Sequence, residues 1–369
     1  MILAYNTKYL NRCYRILFGI LISLSWGLIL GSREIFLSSS DDFTQYYTVY
    51  QQISDGNLEA LFIYGGGYEL GLPLVFLFIT EISSQIIQPH TLLFLDGVFC
   101  SLIFLAWLEY YGLKEVDEEK KGLCSAYTWV LCSFFMASQT IRQFISCLFL
   151  LISIFEINKK KKILFLALAT IFHLSAIIIY LIIYFVKKYK IKATIFIILL
   201  SSISVYLFES ISNNETIKNF LGGEKLTYYE NFSNGFTDAD LGILKLLVLP
   251  AILLLISAMV INSKLIKFRM LDIKDWTLLY LTFFLLHIIF LPIPLLSLRL
   301  TMIISNILLG WIIFNILNEH YKILYSSILI IIIWRVSILF DSNPDNMMRY
   351  WSLYNSFSFY PGYYSRYLF

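Results

Sequence analysis

Two short motifs carry side chains whose chemistry does not suit their surroundings. Ile141-Arg142-Gln143 puts a guanidinium at the start of an apolar run, and Phe172-His173-Leu174-Ser175-Ala176 interrupts another with an imidazole. A guanidinium offers a planar fork for two phosphate oxygens. At a helix N-terminus the unpaired N–H groups add partial positive charge. Arg299, in Leu298-Arg299-Leu300 after Pro292-Ile293-Pro294, repeats the pattern: a second arginine expected at a helix start. Two such cations suit a diphosphate, which one cation cannot neutralise. Arg335 lies inside a third apolar run, where a carboxylate or phosphate partner is expected. Each arginine also has a plainer reading, a side chain reaching to lipid headgroups.

Proton transfer has two candidates, and a further acid opens a helix. His173 can accept a proton near neutral pH, or it can be a core histidine bonded to a carbonyl where a helix breaks. Glu69, in Gly65-Gly66-Gly67-Tyr68-Glu69-Leu70-Gly71, is an acid delivered by a flexible loop, and can take a proton from a sugar hydroxyl or cap the next helix. The glycines are not a phosphate loop, because no Gly-Lys-Ser/Thr follows. Asp42 opens Asp42-Phe43-Thr44-Gln45-Tyr46-Tyr47-Thr48-Val49-Tyr50, which reads as a capped amphipathic helix with Tyr46 and Tyr50 on one face at i, i+4. Such a helix suits the membrane surface. No metal or other cofactor is called for: the five cysteines stand without C-x-x-C or histidine pairing, and there are four histidines.

These groups sit in a chain of 369 residues that is 59% hydrophobic, 17% aromatic and 14% charged, with a formal charge of +3. Soluble domains carry about 25% charged residues, so a soluble globular enzyme, a disordered chain and a nucleic-acid-binding module are excluded. The remaining class is an all-α polytopic membrane protein, one membrane domain over 1–369. Spanning helices are expected at 13–30, 91–111, 123–138, 141–157, 191–208, 243–262, 276–292, 299–317 and 323–340, about nine in all. Two more apolar stretches, 71–88 and 163–185, are expected to be broken or re-entrant. Lys159–Lys162 and the cluster of Lys187, Lys188, Lys190 and Lys192 flank the second stretch, and a hairpin with its tip near His173 keeps both cytoplasmic. An ordinary crossing there would invert everything downstream. In the hairpin topology the polar segments 31–70, 209–242 and 341–369 emerge outside, with external amphipathic helices among them.

In this order the motifs resemble the EpsG-like family of polysaccharide polymerases, relatives of the Wzy O-antigen polymerases. The likeness runs through Asp42 to Tyr50, Tyr68-Glu69-Leu70-Gly71, Ile141-Arg142-Gln143, Lys159–Lys162, Phe172–Ala176, Arg299 and the segment from Asp341. Family members often have Asp-Pro-Gly or Glu-Pro-Gly where this chain has Glu69-Leu70-Gly71. The resemblance implies a GT-C-like, metal-independent glycosyltransferase of the bacterial inner membrane with its active face outside. It would move a growing glycan from undecaprenyl diphosphate to the non-reducing end of a new lipid-linked repeat unit. Arg142, Gln143, Arg299, Arg335, Tyr46 and Tyr50 would bind substrate, and Glu69, His173 or Asp42 would take the proton. Implied partners are lipid-linked oligosaccharides, membrane lipids and a chain-length regulator, with no nucleic acid. Rival readings are another lipid-linked glycosyltransferase or ligase, and a non-enzymatic flippase.

Overall fold

The computed structural model describes residues 11–33, 35, 42–83, 86–132, 137–138, 140–212, 271–291 and 293–317. Expectations for Arg335, for the spans 243–262 and 323–340, and for the segments after 212 and after 340 lie outside these. Among the described residues all regular secondary structure is helical. They form two compact units that divide between Tyr180 and Leu181.

The first unit is built on a tight pair, α1 (Arg12–Gly31) and α4 (Pro89–Trp107, continued by a π-turn to Gly112). These two have the length and hydropathy for a full crossing. α1 presents Gly19, Ser23, Gly27 and Gly31 at i, i+4 spacing, all buried. Small residues on one stripe let helix backbones approach closely where lipid supplies no hydrophobic drive. At one end of the pair the Arg15 guanidinium meets Glu109 at 3.1 Å, both side chains almost fully buried. At the other end His90 Nδ1 meets the Gly31 carbonyl at 2.9 Å.

That polarity extends to α6 (Ile141–Phe155). Just beyond α1, the fully buried Arg33 donates to the Ser138 carbonyl at 3.2 Å, close to the start of α6. At the far end Tyr111 donates to Glu156 at 2.6 Å. α6 then packs antiparallel on α7 (Lys159–Phe172). Ser146 donates to the Ala169 carbonyl at 2.7 Å, Phe149 stacks between Phe172 and Phe165, and Ser153 donates to the Lys162 carbonyl at 3.0 Å. Arg142, Ser146, Phe149 and Ser153 share one helical face. The lysines that open α7 therefore lie about 22 Å from the start of α6, the length of a 15-residue helix.

The break expected near His173 is present. α7 ends at Phe172, His173 takes an extended conformation (φ −157°, ψ 125°), and α8 (Ser175–Tyr189) begins two residues later. The Lys162 ammonium sits over the Tyr180 ring at 5.8 Å, so α8 runs back alongside α7. The stretch 71–88 is also not one span. α3 (Gly71–Ile82) has 12 residues, about 18 Å, against a hydrocarbon core of about 30 Å. α2 (Asp42–Ser54) packs on α3 and buries Phe43, Tyr46, Tyr47, Val49, Tyr50 and Ile53. Its tyrosines face protein, not the lipid surface expected for them.

α5 (Glu118–Leu131) starts and ends earlier than expected, and its acidic first turn suits the helix dipole. The second unit contains most of α8, α9 (Ile191–Ser212), α10 (Leu271–Ile289) and a long helix of α11 (Pro294–Met302), a π-turn (Ile303–Leu308) and α12 (Leu309–Leu317). Among the other apolar helices expected to span, α6 has 15 residues, whereas α9 has 22 and α10 has 19. His287 is buried and bonds Ser297 across the turn between α10 and α11, a structural role.

The α1–α4 contact yields a direct test. A Cβ at Gly27 would lie 2.5 Å from Val98 Cγ2 and 3.0 Å from the Phe94 carbonyl oxygen. Gly27→Val should lower stability by about 1–3 kcal/mol, read as a lower unfolding midpoint in detergent. Leu21→Val, at a half-exposed site on the same helix, should leave the midpoint nearly unchanged.

Candidate functional site

The sequence brings Glu69 to its position by two glycine devices. Gly65, Gly66 and Gly67 all have positive φ (59°, 67° and 89°), the region that favours glycine. They fold the loop so tightly that a Cβ on Gly65 would lie 2.6 Å from Glu69 Cγ. The loop closes on the Tyr64 carbonyl, which accepts from Gly67 N–H at 2.9 Å. After Glu69, the start of α3 is pressed onto the end of α7: a Cβ on Gly71 would lie 2.6 Å from Phe172 Cγ and 2.9 Å from its Cα. Glu69 thereby reaches the break between α7 and α8.

There the carboxylate is 5% exposed and meets three donors from two other segments. Oε2 receives Arg142 Nη1 from the first turn of α6. Oε1 faces His173 Nδ1 at 2.9 Å and accepts the Leu174 N–H at 3.0 Å. A carboxylate only accepts, so Nδ1 carries the proton in this contact. The Ser175 N–H also approaches Nδ1, at 3.4 Å, but the shorter contact to the charged oxygen governs the tautomer. Ser146, one turn after Arg142, fixes the break from below through the Ala169 carbonyl and reaches the His173 carbonyl at 3.5 Å.

Burial alone would raise the Glu69 pKa. The hydrogen bond and charge of His173, the Leu174 N–H and Arg142 outweigh it and hold the carboxyl at about 2. Glu69 is therefore ionised, and a poor base. It does not cap α3 either, because that helix start has no side-chain cap.

Arg142 is sandwiched on its other side. Its guanidinium lies 3.9 Å from the Tyr64 ring centroid and 5.6 Å from that of Tyr46, with a side-chain hydrogen bond to Tyr46. Tyr64 meets Tyr46 edge-on at 5.8 Å. Asp42 lies in the first turn of α2, close enough to Tyr64 to act on its phenol electrostatically.

The expected residues thus separate into three groups. Glu69, Arg142, His173 and Tyr46 are brought together, with Asp42 nearby. Tyr50 is not among them: it is fully buried, edge-on to Phe76, and its hydroxyl accepts from the Ile87 N–H at 3.0 Å, which is packing. Gln143 follows Arg142 but is buried in the helix packing. Arg299 lies in the second unit and does not open a helix: its helix begins at Pro294, and Arg299 sits in the last turn of α11, before the π-turn. Arg335 is outside the described residues. Sequence reasoning missed Tyr64 and the buried Arg33. The signal for Tyr64 was its place directly before three glycines; for Arg33, its place directly after an apolar span.

No group of His, Cys, Asp and Glu among the described residues has the arrangement to hold a metal ion. The charge-balanced Glu69–Arg142 pair next to a proton-carrying ring can orient an imidazole and present a cation. With Glu69 below its usual range, its ionic contribution is present above about pH 4.5 and is lost as pH falls toward about 2. The gap in unfolding midpoint between the wild type and Glu69→Gln should stay constant from neutral pH to about 5 and then close.

A model of the EpsG family matches residues 16–356, nearly the whole chain. No curated protein matches the chain, and no solved structure does. The match runs through every residue of the cluster just described, and the chain belongs to the EpsG family of polysaccharide polymerases, which are membrane proteins.

Proposed function

We propose that the protein polymerises oligosaccharide repeat units carried on undecaprenyl diphosphate, outside the bacterial inner membrane, with the Glu69–Arg142–His173 cluster as its reaction centre. The observation that carries this reading is the cluster itself: three segments distant in sequence converge to set an imidazole and a guanidinium side by side on a shared carboxylate. The ends of the helices support the proposed sidedness. Arg12, Arg15 and Lys159–Lys162 gather at the end of the first unit opposite Arg142 and His173. Basic residues favour the cytoplasm, so the cluster faces outward.

In the proposed step a hydroxyl of the non-reducing-end sugar of the new unit attacks the anomeric carbon of the growing chain. The new C–O bond forms as the bond to the diphosphate oxygen breaks, and the electron pair leaves on the diphosphate. His173, with Nδ1–H held by Glu69, accepts the hydroxyl proton at Nε2. This is the orienting logic of a carboxylate–histidine pair, and it supports one choice among the three candidates: Glu69 positions, His173 accepts. Arg142 stabilises the charge that grows on the departing diphosphate. The reading rests on the first unit alone and asks for no metal.

The flippase reading is disfavoured by what the buried arginines do. Arg15, Arg33 and Arg142 each contact protein acceptors at helix ends, where a flippase path would call for cations through the depth of the membrane. Incubation of purified protein with lipid-linked repeat units tests the assignment. The wild type should yield a ladder of polymer, Arg142→Ala none, and His173→Gln product reduced by about 10²–10⁴-fold. Wild-type protein that returns single units only, or a normal ladder from correctly inserted Arg142→Ala, overturns it.

A further inference from the structure

Two hydrogen-bond donors in the cluster are buried and have no acceptor among the described residues: the Tyr64 hydroxyl and Arg142 Nε. They belong to one stacked pair, the guanidinium lying 3.9 Å from the Tyr64 ring centroid. The phenol oxygen is one ring radius and one C–O bond from that centroid, so one small anion can reach both groups. Glu69 takes Nη1 of the guanidinium and Tyr46 a further bond, while Nε is left without an acceptor among the described residues. The ring is fixed by the edge-on contact with Tyr46 and by the glycine turn that follows it. The position of its phenol oxygen is therefore set before any ligand arrives.

We propose that the Tyr64 hydroxyl and Arg142 Nε–H together grip phosphoryl oxygens of the lipid diphosphate, making Tyr64 a further substrate-binding residue. The inference rests on the polymerase reading for the identity of the ligand. Both orphaned groups can donate, which suits an acceptor-only group with several oxygens. A phosphoryl group meets that demand, and charge assistance makes such bonds short and strong. Burial first, then Tyr46, raises the phenol above its usual pKa despite the opposing Arg142, so it stays a donor at neutral pH. Two donors on one oxyanion also fix its orientation, which a lone arginine would leave free to pivot.

Phosphoryl oxygens could come from the diphosphate linker or from an anionic phospholipid headgroup, and the test separates them. Detergent-purified wild type and Tyr64→Phe, which keeps the ring on Arg142 and removes the hydroxyl, are titrated with undecaprenyl diphosphate and with phosphatidylglycerol. Binding is read as a rise in unfolding midpoint. The wild type should respond to the diphosphate at far lower concentration than to the phospholipid, and Tyr64→Phe should need about tenfold more diphosphate or beyond. As a check that does not rely on the variant folding, 3-fluorotyrosine at position 64 should give a ¹⁹F shift when the diphosphate is added. Equal affinities in the two proteins, no ¹⁹F shift, or no diphosphate binding by the wild type overturns the proposal. Equal response to phosphatidylglycerol assigns the donors to membrane headgroups and overturns it as well. Diphosphate binding that depends on Tyr64 in a protein that makes no polymer would overturn the polymerase reading and leave the donor pair standing.

Discussion

A buried carboxylate governs the first unit. Removing an ionised acid from water costs several kcal/mol unless opposite charge and hydrogen bonds replace the lost solvent. Glu69 meets that demand from two segments far away in sequence: the guanidinium that opens α6, and the imidazole and amide at the break between α7 and α8. Each partner is held in place by the others. Loss of Arg142 would strand a charge, and healing the helix break would remove the Leu174 N–H and turn His173 away. The acid is thus what makes a loop, a helix start and a helix break into one object.

The rest of the unit can be understood as the means of delivering those pieces. α6 and α7 pack antiparallel through a stripe of serine and phenylalanine, so residues at the start of one helix meet residues at the end of the other. That explains the spacing between the Ile-Arg-Gln and Phe-His-x-Ser-Ala motifs: one helix out, a short turn, one helix back. The positive-φ glycines and the close approach of Gly71 to Phe172 supply the last few ångströms for Glu69. Serine is well suited to the helix contact, because its hydroxyl bonds a neighbouring carbonyl without holding the backbones apart.

Local signals were legible in the sequence and pairings were not. Two lysine clusters flanking an apolar stretch and a lone histidine within it marked the break at His173, and an arginine opening an apolar run marked the start of α6. The Glu69–Arg142 pair joins residues on separate elements, and nothing within a helical turn of either one announces the other. Tyr50 followed from i, i+4 spacing on α2, but that face packs on α3, and the spacing alone does not say which neighbour a face meets. Arg299 was expected to open a helix because two prolines precede it. Proline is favoured in the first turn, where its missing N–H costs nothing, and the helix accordingly starts at Pro294, within the proline pair. The stretch 71–88 was expected to be broken or re-entrant, and α3 accordingly ends at Ile82 after 12 residues.

An arginine paired with a glutamate looks ill-suited to binding an anion, since the pair is neutral before substrate arrives. The proposed proton transfer changes that balance at the right moment. In the resting cluster as proposed, Arg142 is cationic, Glu69 anionic and Nε2 of His173 free to accept a proton. When the attacking hydroxyl gives up its proton, His173 becomes an imidazolium held by Glu69, and the cluster gains one positive charge. The bond to the diphosphate breaks in the same step, so negative charge grows on the leaving group as positive charge appears beside it. Glu69 is then shared between two cations, which weakens its hold on Arg142 and frees the guanidinium for the diphosphate. A carboxylate with a low pKa is suited to this role, because it remains ionised throughout and does not take the proton that must stay on the imidazole. The pairing thereby ties stabilisation of the leaving group to proton removal, and favours the charge distribution of the transition state over that of the bound substrate.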